Sequence, residues 1–122
     1  MKTIMILLNI LWFIGMAEAQ IEHGGASWYS VQCNHGTKTA SGQKLSNSAN
    51  TAAHKTLPMG TKVKVTNLKN GKSEIVTIND VGPFIKNRII DVTIGVAEKL
   101  GFRSSGVTKV RIEVVGRINL PK

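Results

Sequence analysis

Over most of its length the chain repeats with a period of two. Lys62-Val63-Lys64-Val65-Thr66 alternates charged and apolar residues, Glu74-Ile75-Val76-Thr77-Ile78 is a β-branched run, and Lys109-Val110-Arg111-Ile112-Glu113-Val114-Val115 alternates again. Successive side chains of a strand point to opposite faces, so each segment predicts a strand with one face buried. Between the first two stands Asn70-Gly71, which predicts a hairpin over 62–79 closed by a type I′ turn with positive φ at both central positions. Shorter strands are predicted over 26–29 and 88–92. A single stretch has helical character: Thr93 is placed to cap a helix over 95–100, with Ile94, Val96, Ala97 and Leu100 apolar and Gly101 as the stop. Several short strands, Gly-rich turns and one small helix predict a mainly β domain closed into a barrel, which leaves a small chain no exposed sheet edge.

Two segments break this pattern. In residues 1–19, Lys2 precedes an apolar run over 4–14 interrupted only by Asn9, and Ala17-Glu18-Ala19 stands before Gln20. A positive start, an apolar centre and an A-x-A ending predict a secretory signal peptide, and the run is too short to span a bilayer. No cysteine follows the expected cleavage point, so a lipobox anchor is not expected. The reading is therefore a signal peptide over 1–19 and one domain over 20–122. The second segment, 30–61, is polar, small and aperiodic, an unusually long irregular stretch for a compact domain, and such loops are commonly functional.

Composition sharpens this. With 42% hydrophobic and 19% charged residues the chain has enough apolar surface to fold. One cysteine excludes an intramolecular disulfide, and a Cys-rich structural zinc site lacks its ligands. Lys and Arg number 16 against 7 Asp and Glu, a net charge of +9 that survives removal of Lys2 and Glu18 with the signal peptide. A basic balance first suggests nucleic acid. An exported protein instead meets cell-wall polymers, acidic glycans and lipid head groups, so no nucleic-acid partner is expected. No run of five basic residues exists, and a solvated surface explains the charge equally well.

Candidate chemistry is sparse. Asp80 follows Ile78-Asn79 and precedes Gly82-Pro83-Phe84, a strand-to-turn junction where a loop can present a carboxylate to a groove; an Asx-type turn cap is the structural alternative. Asp91 lies in the apolar stretch Ile89-Ile90-Asp91-Val92, which predicts partial burial and either a partner or a raised pKa. His54 sits in Ala52-Ala53-His54-Lys55 ahead of Pro58 and Gly60, where a hydrogen-bonded structural role competes with catalysis. Cys33, His35 and His54 offer three metal ligands without a fourth, so no metal is expected. Trp28 and Tyr29 could each stack on a sugar, although one of two adjacent strand residues must point inward. No serine-hydrolase elbow, zincin motif, P-loop or dinucleotide fingerprint is present.

The stretch Gly25-Ala26-Ser27-Trp28-Tyr29, then His35-Gly36, Lys38-Thr39-Ala40-Ser41-Gly42, Thr51-Ala52-Ala53-His54-Lys55-Thr56-Leu57-Pro58, Asn70-Gly71, Asn79-Asp80-Val81-Gly82-Pro83-Phe84 and Arg88-Ile89-Ile90-Asp91 resembles, in order and spacing, the rare lipoprotein A (RlpA) family. The resemblance runs over about 24–115. It implies a six-stranded double-psi β-barrel with one or two short helices, shared with expansins, and an endolytic lytic transglycosylase that cuts peptidoglycan glycan strands, favouring strands stripped of stem peptides. Such an enzyme needs one acid to protonate the glycosidic oxygen, because the muramic acid's own 6-hydroxyl is the nucleophile. It needs no cofactor. By resemblance Asp80 is the acid/base and His54 a second catalytic residue, with Gln43, Trp28, Tyr29, Asn79 and Asp91 binding substrate; Asp91 matches the aspartate of the expansin-type motif. Family members commonly carry Glu where this chain has Gln43 and Arg where it has Val81, which leaves open an attenuated enzyme or an expansin-like, non-catalytic glycan binder. A secreted inhibitor or signalling protein on the same scaffold is the third class. The implied partner is peptidoglycan, met by a monomer in the periplasm or outside the cell, without membrane insertion once the signal peptide is gone.

Overall fold

The computed structural model describes residues 20–30 and 38–120. The signal peptide expected over 1–19 lies outside the described residues, as do Cys33 and His35. Among the described residues six strands and one helix follow in order: β1 (Ile21–Tyr29), β2 (Thr51–His54), β3 (Thr61–Asn67), β4 (Ser73–Asp80), β5 (Arg88–Thr93), α1 (Ile94–Leu100) and β6 (Val107–Arg117). They close into a barrel in the spatial order β1-β5-β2-β4-β3-β6. Two pairs, β1 with β5 and β2 with β4, are parallel, and the remaining four are antiparallel. This is the double-psi β-barrel that the resemblance implied, with one helix among the described residues.

The period-two pattern builds the interior. In β3, Val63 and Val65 are fully buried while Lys62 and Lys64, which alternate with them, are half-buried. Val76 and Ile78 of β4, Ile90 and Val92 of β5, and Val110 and Ile112 of β6 complete the barrel core, which α1 closes with Val96, Ala97 and Leu100 beside Phe102. Thr93 caps α1 as expected, its hydroxyl accepting from the Val96 N–H, and Gly101 ends it at φ 79°. Among the described residues no helix is long and apolar enough to cross a membrane.

The hairpin over 62–79 forms, but its turn differs from the one expected. Gly71 has positive φ and Asn70 does not, and the closing bond runs from the Asn67 N–H to the Lys72 carbonyl. The physical reason lies in the helix end. Asn67 and Asn70 both donate through their side-chain amides to the Leu100 carbonyl, at 2.8 and 3.0 Å. That carbonyl is one of those left without an intrahelical partner at a helix C-terminus, and reaching it requires a wider loop than a two-residue turn. Strand β1 is also longer than predicted. Its first half, polar in sequence, pairs with β6 from Ile21 onward.

Candidate active site

Strand parity sorts the candidate residues onto two faces. In the paired register Asp80 of β4 lies opposite Ala53 of β2, Ala53 opposite Asp91 of β5, and Asp91 opposite Ser27 of β1. Residues opposite one another on paired strands point the same way, so Asp80, Ala53, Asp91 and Ser27 form one row across four strands on the outer face of the barrel. Two strand spacings place the Asp80 and Asp91 Cα atoms about 10 Å apart. Buried Ala53, the smallest side chain available short of glycine, floors the trough between them.

Asp80 reaches this row through a β-bulge. Ala52 faces Ile78 and Ala53 faces Asp80, so Asn79 is an extra residue on β4. A bulge re-aims the side chains that follow it, and here the loop over 38–44 engages both residues. The Asp80 Oδ1 accepts the Ala40 and Val81 N–H groups, each at 2.9 Å. Asn79 donates through Nδ2 to the Gln43 Oε1 at 3.2 Å, and its backbone carbonyl accepts from the Ser41 N–H at 3.1 Å. The loop folds on itself through Thr39 and Gln43, paired through backbone at 2.8 Å, with the Thr39 and Ser41 hydroxyls in contact. Asp80 is thus fixed through one carboxylate oxygen, and Oδ2 has no hydrogen-bond partner among the described residues.

Asp91 has a different environment. Burial pushes its carboxyl up from 3.8 to about 6 and the Asp80 charge pushes the same way, against a hydrogen bond from Ser27 at 3.2 Å and the positive charge of Arg88. Tyr29, two residues beyond Ser27 on the same face, is buried, and burial raises its hydroxyl to about 12, with Asp91 and Asp80 adding to the rise and Thr51 opposing it. Tyr29, Asp91 and Asp80 therefore belong to one electrostatic neighbourhood.

The other face takes the remaining candidates. Trp28 packs against the core and donates its indole N–H to the Arg103 carbonyl at 3.1 Å. His54 is 5% exposed, with Nδ1 accepting the Thr56 and Leu57 N–H groups at 3.1 Å each and Nε2 2.9 Å from the Glu22 Oε1. Because Nδ1 accepts, the ring proton sits on Nε2 and is donated to Glu22. His54 and Glu22 line a cavity of about 300 Å³ with Leu57, Ile112 and Val114. The structure therefore brings together Asp80, Asp91, Asn79, Gln43 and Tyr29, and sets Trp28 and His54 apart from them. Sequence reasoning missed Ser27, Thr51, Ala53 and the Ala40 N–H, small or backbone groups whose roles come from register. Phe84, four residues after Asp80 in sequence, is 78% exposed with Val81 and Ile85 also exposed, an aromatic that sequence reasoning did not weigh.

Comparison with known proteins gives concordant results. A protein-family model described as "Lytic transglycolase" matches residues 21–112. The probable endolytic peptidoglycan transglycosylase RlpA of Synechocystis sp. is 51% identical over 96 residues, 79% of this chain and 30% of its own length. The endolytic peptidoglycan transglycosylase RlpA of Rickettsia typhi is 55% identical over 94 residues, 75% of this chain and 29% of its own. That of Neisseria meningitidis serogroup A is 54% identical over 92 residues, 75% of this chain and 38% of its own. The chain thus spans well under half the length of these relatives. Among solved structures, the Streptomyces papain inhibitor superposes with a TM-score of 0.63 at 22% identity, covering 80% of this chain and 96% of that one. A mutant Clavibacter michiganensis expansin in complex with cellohexaose gives 0.58 at 19% identity, covering 83% and 53%. These two likenesses concern the fold.

Proposed function

Because the chain belongs to the lytic transglycosylase family of double-psi β-barrels, we propose that it cuts peptidoglycan glycan strands internally, with Asp80 as its acid/base. One observation carries this reading: Asp80 is held through Oδ1 by two N–H donors, keeps Oδ2 without a partner among the described residues, and stands one full strand away from the next carboxylate along the row. A retaining glycosidase pairs its carboxyl groups about 5 Å apart. An inverting one sets them about 6.5–9.5 Å apart around a water; a lytic transglycosylase requires neither arrangement, because its nucleophile belongs to the substrate. Protonated on Oδ2, Asp80 gives its proton to the oxygen linking N-acetylmuramic acid to N-acetylglucosamine as the C1–O bond breaks. The muramic 6-hydroxyl then closes onto C1 and returns its proton to Asp80, leaving a 1,6-anhydro end and no net consumption of water.

Gln43 and His54 act in this reading as positioning residues. Gln43 spends its side-chain oxygen on Asn79 and, more weakly, on the Ser41 hydroxyl, 3.4 Å away. That function needs no titration, so the amide serves where relatives commonly carry a carboxylate. His54 pins the chain leaving β2, and its carbonyl accepts the Gly82 N–H just after Asp80 at 3.3 Å. Export to the cell envelope, a monomeric state and a preference for strands stripped of stem peptides belong to the same proposal.

Incubation of the protein with such denuded strands, followed by mass spectrometry, is expected to reveal 1,6-anhydromuramic ends. Asp80→Asn is expected to lower their rate of formation by about 10²–10⁴-fold, the usual worth of a positioned acid/base. Equal cleavage by the variant sinks the assignment of Asp80. No anhydro product from the wild type, with pull-down on insoluble glycan retained, turns the reading to an expansin-like binder.

A further inference from the structure

Beneath the loop over 38–50, on the same outer face as the two acids, lies a cavity of about 110 Å³ lined by Tyr29, Gln43, Leu45, Ala49, Thr51 and Asn79, among others. Two of its lining residues carry a buried polar atom that has no hydrogen-bond partner among the described residues: the Tyr29 hydroxyl and the Asn79 Oδ1, on residues 8% and 3% exposed. The Thr51 hydroxyl stands near Tyr29 but outside hydrogen-bond geometry. Leaving a buried polar group unpaired is costly, and native structures rarely tolerate it without a functional reason. Here two such groups of opposite capacity face one cavity. Tyr29 offers an O–H donor; Asn79, whose Nδ2 is already committed to Gln43, offers an acceptor. Leu45 and Ala49 add an apolar lining.

That set is complementary to a secondary amide carrying a methyl group, which presents one acceptor, one donor and one small apolar end. We propose that this cavity is an acetamido pocket, in which Tyr29 donates to the carbonyl of a sugar N-acetyl group, Asn79 accepts its N–H, and Leu45 and Ala49 contact its methyl. The proposal rests on the glycan reading above and specifies which glycans the site selects. Burial keeps the Tyr29 hydroxyl protonated far above neutrality, so the donor is available throughout the working range. A glucan carries a hydroxyl in place of the acetamide. It brings one oxygen where the amide brings two polar atoms and a methyl, and a site built to hydrogen-bond an absent group rejects the sugar lacking it. Asn79 is covalently next to Asp80, so a sugar anchored here is also registered against the acid.

The test is titration calorimetry with two neutral probes, the β-1,4-linked N-acetylglucosamine hexamer and cellohexaose. Neither contains muramic acid, so neither is turned over. The wild type is expected to bind the acetylated hexamer at least about tenfold more tightly, the worth of one or two net hydrogen bonds. Tyr29→Phe, which removes only the hydroxyl, and Ala49→Leu, which fills the methyl end, are each expected to weaken that hexamer about tenfold and leave cellohexaose within about twofold. If both variants weaken the two hexamers equally, or neither is affected, the pocket serves packing or holds water and the proposal falls while the glycan reading stands. Failure of the wild type to bind either hexamer overturns the glycan reading itself.

Discussion

Asp91 and His54 are both buried or half-buried titratable side chains, and they act on stability in different ways. The Asp91 carboxyl titrates near pH 6 in the folded protein against 3.8 when free, so the folded state holds its proton more tightly than the unfolded state does. Its effect is absent below about pH 4, stability falls as pH rises through the window from about 4 to 6, and the cost is complete above it. A shift of about two units caps that cost at about 3 kcal/mol, and partial solvent access lowers it. Asp91→Asn is therefore expected to be more stable than wild type by about 1–2 kcal/mol at pH 7 and equal to it near pH 3.5 in urea titrations; a variant less stable at both pH values contradicts this account. A carboxylate kept at such a cost fits a functional site better than a structural one. His54 is the reverse case. Its removal leaves the Thr56 and Leu57 N–H groups without their acceptor, so His54→Ala is expected to lose about 2–4 kcal/mol of stability in the absence of any substrate. Glu22→Gln keeps an oxygen for the Nε2–H and is expected to stay within about 1 kcal/mol of wild type. Equal denaturation midpoints for His54→Ala and wild type would remove the structural role.

At the scale of elements, what the sequence revealed and what it hid follow from the range of the interactions involved. Val63 with Val65, Val110 with Ile112, and the Thr93 and Gly101 caps were readable because alternation and capping are local and each has a chemical signature within a few residues. The type I′ turn was misread because its competitor, the Leu100 carbonyl, lies 30 residues from Asn70. The same limit governs the site. Asp80 and Asp91 could be nominated from their neighbours, but the row through Ala53 and Ser27 depends on strand order and on a bulge, which no local pattern announces. The division of Trp28 from Tyr29 was half legible: parity required one of them to turn inward, and only the barrel decides which. Gly60 shows an element boundary fixed by backbone rather than side chain. It sits at φ 91°, its carbonyl accepts the Ile118 N–H at 2.8 Å, and a Cβ there would collide with the Ile118 carbonyl oxygen. Gly60→Ala is expected to destabilise the fold by more than about 2 kcal/mol, combining left-handed strain with that collision; thermal melting with an unchanged midpoint would show that the tail after β6 simply moves aside.

For the whole molecule the relevant quantity is a net charge of +9, spread along the sequence without a run of five basic residues. In the proposed setting its counterpart is the carboxylate that each muramic acid bears once its stem peptide is gone. Binding to denuded strands is then expected to weaken steadily as salt rises from about 50 to 300 mM, while binding to the neutral N-acetylglucosamine hexamer stays nearly constant; parallel salt dependence of the two would assign the charge to solubility alone. The strand order has a consequence for how the protein comes into being. The first strand, β1, has as its only neighbours β5 and β6, the last two strands in the chain. During synthesis its edges stay unpaired until β5 and β6 have emerged, and contacts of such long sequence separation form slowly. No barrel exists in a chain that lacks β6, so the row of Ser27, Asp91, Ala53 and Asp80, although it draws only on β1, β2, β4 and β5, is held in a closed sheet only once β6 has joined β3 to β1.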